Sequence, residues 1–162
     1  MPIEIERKFL VSGDGWRQAE SVQYRQGYLN RENELTTRVR IGGGKAFLTI
    51  KGPKKAGVTP EFEYEIPVAD GEQLLQLCKS SIIQKNRYSV PYKGFTWQVD
   101  EFFGDNAGLV MAEIELQDVN QAFERPDWLG VEVTGDRRYY NARLARFPYR
   151  TWGEGKPGRD KE

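Results

Sequence analysis

The N-terminal run Glu4-Ile5-Glu6-Arg7-Lys8-Phe9 constrains this chain more than any other stretch. In a β-strand, side chains alternate between faces. Glu4, Glu6 and Lys8 then share one face, while Ile3, Ile5 and Arg7 take the other. Like charges two residues apart on a strand stand roughly 6.5–7 Å from one another. Two carboxylates at that spacing repel unless a cation lies near them. A divalent-metal site gives a reason to keep such a pair.

The same alternation recurs down the chain. Arg38 and Arg40 share a face opposite Val39 and Ile41, and Thr49 and Lys51 one opposite Leu48 and Ile50. Glu61, Glu63 and Glu65 oppose Phe62, Tyr64 and Ile66. Lys85 and Arg87 oppose Asn86 and Tyr88, Gln98 and Asp100 oppose Trp97 and Val99, and Glu113 and Glu115 oppose Ala112, Ile114 and Leu116. Tyr24, Gln26 and Tyr28 form a polar-aromatic set.

Two readings compete. Half-buried antiparallel strands have a wet face and a dry face, and the charges could simply be wet. But the polar faces are nearly all ionic, and signs cluster within strands, which a solvated surface would more comfortably mix. The other reading is an inverted barrel, with charges lining a wet tunnel and apolar faces outside. Burying so many charges is costly unless they are paired, hydrated or matched to a ligand. A polyanion with divalent cations is that ligand: Arg and Lys hold phosphate oxygens, and carboxylates hold Mg²⁺ or Mn²⁺.

Composition narrows the chemistry. The 162 residues suit one domain, and Lys+Arg and Asp+Glu balance at 24 each, so no bulk basic character argues for nucleic acid. No apolar stretch approaches the ~20 residues needed to span a bilayer, and no signal peptide is visible. Histidine is absent, which removes the usual general base and most zinc sites. One cysteine, Cys78, excludes an intramolecular disulfide. It is expected as a buried thiol in an apolar helical run, in a reducing cytoplasm.

Strands are expected over 2–11, 22–29, 35–42, 45–51, 60–67, 82–91, 95–103, 109–117 and 130–134. The connections Gly42-Gly43-Gly44, Tyr92-Lys93-Gly94 and Gly104-Asp105-Asn106-Ala107-Gly108 are hairpin signals. Residues 52–60 are expected as a longer, mobile loop. A helix should begin at Asp70 with Leu74, Leu75 and Leu77 on its apolar side. Shorter helices are expected over 12–20 and 118–125, and one over 134–146 should close the fold. Residues 1–152 read as one domain and 153–162 as a disordered tail. Consecutive antiparallel strands with short turns favour a barrel or strongly curved sheet.

Glu4-Ile5-Glu6-Arg7-Lys8 matches the ExExK signature of the CYTH superfamily, the triphosphate tunnel metalloenzymes. Gln26-Gly27-Tyr28-Leu29, Arg38-Val39-Arg40, Leu48-Thr49-Ile50-Lys51 and the Glu61/Glu63/Glu65 strand resemble its short bacterial members. So do Lys85-x-Arg87, Trp97-x-Val99-Asp100, Ala112-Glu113-Ile114-Glu115 and the segment from Gly130 to Asn141. The resemblance covers roughly 2–147, with its motifs in order.

It implies an α+β, mostly β fold: an eight-stranded antiparallel closed tunnel barrel with a charged interior and helices outside. It implies metal-dependent hydrolysis of a triphosphate, inorganic tripolyphosphate foremost, with Mg²⁺ or Mn²⁺. Lys8, Arg38, Arg40, Lys51, Lys85, Arg87 and Tyr28 would bind substrate. Glu4, Glu6, Glu63, Glu65, Asp100, Glu113 and Glu115 would bind metal, with Glu61 the weakest candidate. Glu4, Glu6 and Lys8 would carry the catalysis. Adenylate cyclase, nucleoside or thiamine triphosphatase activity, and a non-catalytic polyphosphate-binding module stay open. Tyr24, Tyr28, Phe102, Phe103 and Trp152 are candidates for an organic-group pocket. Such small barrels commonly form homodimers, and nothing in the sequence specifies an interface.

Overall fold

Strand alternation, hairpin turns and one amphipathic helix build the architecture seen in the computed structural model, which describes residues 3–32, 35–78 and 81–153. Among the described residues, ten strands form one antiparallel sheet: β1 (Ile3–Glu4), β2 (Glu6–Val11), β3 (Glu20–Glu32), β4 (Leu35–Gly42), β5 (Lys45–Lys51), β6 (Thr59–Ile66), β7 (Ile83–Tyr92), β8 (Phe95–Phe102), β9 (Val110–Glu115) and β10 (Leu129–Glu132). The helices are α1 (Val68–Gln76) and the single turn α2 (Asn141–Leu144). The tail beyond residue 153 lies outside the described residues.

The strand order is β1-β6-β5-β4-β3-β7-β8-β9-β2-β10. The fold is therefore mostly β and antiparallel with few helices, as expected. It departs from the eight-stranded closed barrel, because the sheet has ten strands and its hydrogen-bonded order does not join end to end. The strand expected over 2–11 is two strands parted at Ile5. Glu4 pairs with Thr59 of β6, whereas Glu6 pairs with Glu115 of β9. Between them, Ile5 O accepts a hydrogen bond from Leu116 N at 2.7 Å.

One outer face of the sheet is covered by α1. Leu75 packs on Val39, Ile41 and Ala46. The approach is close enough that a Cβ on Gly71 would stand 2.8 Å from the Ala46 Cβ, so the helix needs glycine there. Leu77, expected on this apolar side, is 65% exposed, and Cys78 is half-buried just past the helix end rather than fully buried within it. Burial pushes the Cys78 thiol up.

A second outer face packs Ile5, Phe9, Trp97, Val99, Ala112 and Ile114 beneath Trp16, Phe123 and Trp128. Trp97 meets the rings of Phe9, Phe123 and Trp128 edge-on at 5.6, 5.6 and 5.8 Å. These covers are turns, not the helices expected over 12–20 and 118–125. Gly13 holds φ at 76°, and only isolated turn bonds follow, such as Arg17 N to Asp14 O. In the second segment, the Asp118 side chain accepts from Asn120 N and Gln121 Oε1 from Gln117 N. Such local side-chain bonds compete with a helix.

The closing helix expected over 134–146 is also broken up. Asp136 caps a 3₁₀ turn at Arg137–Tyr139, and α2 follows. Residues 52–58 form a tight turn, with Lys55 and Val58 exchanging backbone hydrogen bonds at 2.9 Å and positive φ at Ala56 and Gly57.

Candidate active site: a charged inner face

The register places the charged parity sets on one face. Arg38 and Arg40 of β4 stand opposite Tyr28 and Gln26 of β3, and opposite Thr49 and Phe47 of β5. Thr49 and Lys51 in turn oppose Glu63 and Glu61. On the other side, Tyr24 opposes Lys85, Arg87 opposes Asp100, Gln98 opposes Glu113, and Glu113 opposes Lys8. Residues on strands that do not pair with one another also meet across this face. Lys51 Nζ donates to Glu4 Oε1 at 2.8 Å, and Glu115 of β9 lies in the field of Glu63 on β6.

Two sub-clusters emerge. In the first, Asp100 accepts from Lys85 Nζ at 2.8 Å and from Arg87 Nε and Nη2 at 2.7 and 2.8 Å. Arg87 Nη2 also donates to Glu113 Oε1 at 3.1 Å, and Lys8 Nζ lies 3.3 Å from Glu113 Oε2. Burial pushes Asp100 up, but Arg87 and Lys85 outweigh it and hold the carboxyl below its ordinary range. Glu113 is likewise pushed up by burial, yet Lys8 and Arg87 bring it down to about 2. Burial pulls Lys85 down to about 7 against the attraction of Asp100. Burial also lowers Lys8, but Glu113 and Glu6 leave it raised.

In the second sub-cluster, Arg38 Nη2 donates to Thr49 Oγ1 at 3.1 Å, which donates onward to Glu63. Arg38 and Arg40 lie only 3.9 and 3.6 Å from Glu63. The Nε of each arginine is buried without a hydrogen-bond partner among the described residues. Arg40 lies over the Tyr24 ring at 4.7 Å, and burial with Arg38 and Arg87 nearby lowers its pKa to about 10. This cation cluster is under-neutralised, which suits an incoming anion.

The carboxylates are unevenly spent. Glu4, Asp100 and Glu113 have cationic partners. Glu6 makes no ion pair among the described residues, and burial with Glu113 and Glu4 pushes it up to about 8. Burial and Glu6 raise Glu115, and burial foremost raises Glu61. Glu65 shares the Glu63 face and is exposed. Among the described residues, no three His, Cys, Asp or Glu side chains converge as they stand to hold a metal. The donor chemistry nonetheless fits a hard divalent cation. The donors are carboxylate oxygens, there is no histidine, and Cys78 lies on the α1 side.

Parity reasoning missed that the inner face turns apolar at one end. Tyr28, Ile83, Phe102, Met111 and Leu10 pack there with Tyr139, Leu144 and Trp152 from the C-terminal segment. Of the aromatic residues considered for an organic-group pocket, Tyr28, Phe102 and Trp152 pack in this cluster and Tyr24 underlies Arg40. Phe103 stands outside on the exposed surface. The C-terminal segment also reaches the charges. Asn141 Oδ1 accepts from Lys85 Nζ at 3.0 Å, and Tyr139 O from Lys8 Nζ at 3.5 Å. A helix over 134–146 that closes the fold gives Asn141 no role at the charges, and the sequence offers no signal for one.

Known proteins resemble this chain over nearly its whole length. An inorganic triphosphatase from Acetivibrio thermocellus is 49% identical over 153 residues, covering 93% of this chain and 98% of that protein. One from Nitrosomonas europaea is 37% identical over 147 residues, covering 88% and 96%. A crystal structure of an inorganic triphosphatase matches with a TM-score of 0.64 at 36% identity, covering 88% of this chain and 97% of that one. The CYTH domain profile matches residues 2–140, and the chain belongs to the CYTH family.

Proposed function

We propose that this chain hydrolyses a triphosphate on its charged inner face, with inorganic tripolyphosphate as the foremost substrate and pyrophosphate and phosphate as products. The observation that carries the reading is the gathering of Lys8, Arg38, Arg40, Lys51, Lys85 and Arg87 on one face, with too few partners for the two β4 arginines. Similarity to two inorganic triphosphatases over nearly their whole length supports the same choice.

Phosphoryl transfer needs positioning and charge neutralisation more than covalent chemistry. Arg38 and Arg40 would grip one end of the phosphate chain, and Lys85 and Arg87 the other. Lys8, kept protonated by Glu113 and Glu6 against its burial, would stabilise charge developing on the transferred phosphoryl group. Lys51, raised by Glu4 and Glu6 despite burial, would stay a charged clamp. Glu4 and Glu6 would orient the attacking water by accepting its hydrogens. A Mg²⁺ or Mn²⁺ ion, when bound, supplies Lewis-acid polarisation of phosphate oxygens. Glu6 and Glu115 are the carboxylates left to hold it, with Glu4, Glu63, Glu65 and Glu113 on the same face. Asp100, spent on Lys85 and Arg87, would hold those cations in place.

In this reading the sheet wraps into a tunnel. Residues 3–11 count as one strand that leaves β6 and joins β9, and β10 is an added edge, which gives an eight-stranded wall. Residues 1–152 act as one unit, and the lone cysteine suits a reducing cytoplasm. Among the described residues, no helix is long and apolar enough to cross a membrane.

The test offers purified protein tripolyphosphate, ATP or thiamine triphosphate, each with Mg²⁺, Mn²⁺ or EDTA, and resolves the products. Metal-dependent release of phosphate from tripolyphosphate, with slow ATP turnover, is the expected result. Cyclic AMP with pyrophosphate from ATP would replace the reading with a cyclase. Tight binding without any turnover would leave a polyphosphate-binding module.

A further inference from the structure

The two lysines of the inner face that lie deepest are held by neutral acceptors from one short segment. Lys85 Nζ donates to Asn141 Oδ1 at 3.0 Å. Lys8 Nζ donates to Tyr139 O at 3.5 Å and lies 5.7 Å from the centre of the Tyr140 ring. An amide, a carbonyl and a ring face thus meet two ammonium groups, and none of the three carries a charge. Asn141 Oδ1 also accepts from Gln26 Nε2 at 3.1 Å, which ties the C-terminal segment to β3 as well as β7.

The charge count gives this choice of acceptor a consequence. With Lys85 protonated, Lys8, Lys85 and Arg87 share two carboxylates, Asp100 and Glu113, and so carry a surplus positive charge. A carboxylate beside Lys85 would satisfy the same hydrogen bonds, since Asp and Asn present the same acceptor oxygen. It would also cancel the surplus that an incoming phosphate meets. An amide orients the ammonium and leaves its charge available.

We propose that Asn141 is a positioning residue that holds the Lys85 ammonium for a phosphate group without neutralising it. The inference rests on the triphosphate reading of this face and adds a residue outside the strand motifs. It makes the sign of the group at position 141 a determinant of anion affinity, separate from its part in packing.

Asn141→Asp tests this directly: it keeps the shape and the Oδ1 acceptor that Lys85 and Gln26 use, and exchanges the amide nitrogen for a charged oxygen. The variant should melt at or above the wild-type temperature, while the KM for tripolyphosphate rises about tenfold, as expected for one added like charge near the ligand. The Kd for tripolyphosphate, measured by calorimetry without added metal, should weaken in parallel, with a smaller change in kcat. Wild-type KM and Kd in that variant would overturn the proposal. Should Asn141→Asp fail to fold, Asn141→Ser and Asn141→Ala decide. The serine variant, which keeps a neutral acceptor, should stay nearer wild type in KM than the alanine variant; equal values would overturn the proposal. Wild-type protein that binds tripolyphosphate without hydrolysing it would reject the enzymatic reading alone, and the Kd comparison would still decide the role of Asn141. No binding by wild-type protein would overturn both.

Discussion

Lys51 Nζ and Glu4 Oε1 stand 2.8 Å apart although they lie 47 residues apart in the chain. The pair joins β5 to β1, where the N-terminal segment leaves β6 for β9. Burial works against the Lys51 charge, but Glu4 and Glu6 outweigh it and raise its pKa. A neighbouring carboxylate, Glu6, has no such partner among the described residues. The inner face therefore holds both satisfied ion pairs and charges left in want of a ligand.

Glu6 makes the ligand-free protein sensitive to pH. Burial, then Glu113 and Glu4, push its carboxyl from 4.5 up to about 8. Between those values the folded protein keeps a proton that the unfolded chain releases, so stability falls as pH rises through the window. Glu6→Gln should melt near wild type at pH 5 and above it at pH 9, in chelator. About 1 kcal/mol of relief corresponds to a shift of ~2–4 °C for a chain of this size. Parallel melting curves at all pH values would contradict the burial of an uncompensated carboxylate.

Arg40 should matter more for binding than for folding. Its Nε is unpartnered, and Arg38 and Arg87 repel it. Arg40→Met keeps the packing over Tyr24 and removes the charge. Thermal melts should show no loss of stability, and kinetics should show a KM for tripolyphosphate raised at least about tenfold, or ~1.4 kcal/mol. A variant that unfolds while its residual folded fraction keeps full activity would reverse this assignment.

Asp100 is the opposite case. It is 2% exposed and serves two cations, the buried Lys85 and the half-buried Arg87. Asp100→Asn leaves Lys85 and Arg87 without their anion and should cost about 3–5 kcal/mol. Urea denaturation would measure it. Because Asp100 and Glu113 are both held below their ordinary values, the stability they contribute is present above pH ~4 and is lost as pH falls further.

Much of the fold was legible because strand alternation is a short-range rule. Each parity set from Arg38/Arg40 to Glu113/Glu115 lies on the inner face by register. Ile114, read as outward and apolar, is 1% exposed in the Phe9–Trp97 core. Ile114→Asp should therefore abolish folding, as loss of near-ultraviolet circular dichroism would report. What stayed illegible depends on long-range partners. The break at Ile5 exists because β6 and β9 compete for the same strand. Asn141 reaches Lys85 only because Asp136 and the 3₁₀ turn bend the C-terminal segment across the sheet. The turns at 12–19 and 117–128 replaced helices because glycine and local side-chain bonds satisfied the backbone first.

The inner face, rather than the charged exterior, should handle the triphosphate. Two guanidinium groups on the neighbouring strands β4 and β3 test it: Arg38 on the inner face, and Arg25, exposed outside and paired with Glu72 at 2.6 Å. The measurement is kcat/KM for tripolyphosphate hydrolysis in Arg38→Met and Arg25→Met. A loss of about 100-fold for Arg38→Met, with Arg25→Met close to wild type, is the predicted result. Equal effects of the two substitutions, or full activity in Arg38→Met, would contradict a site on the inner face.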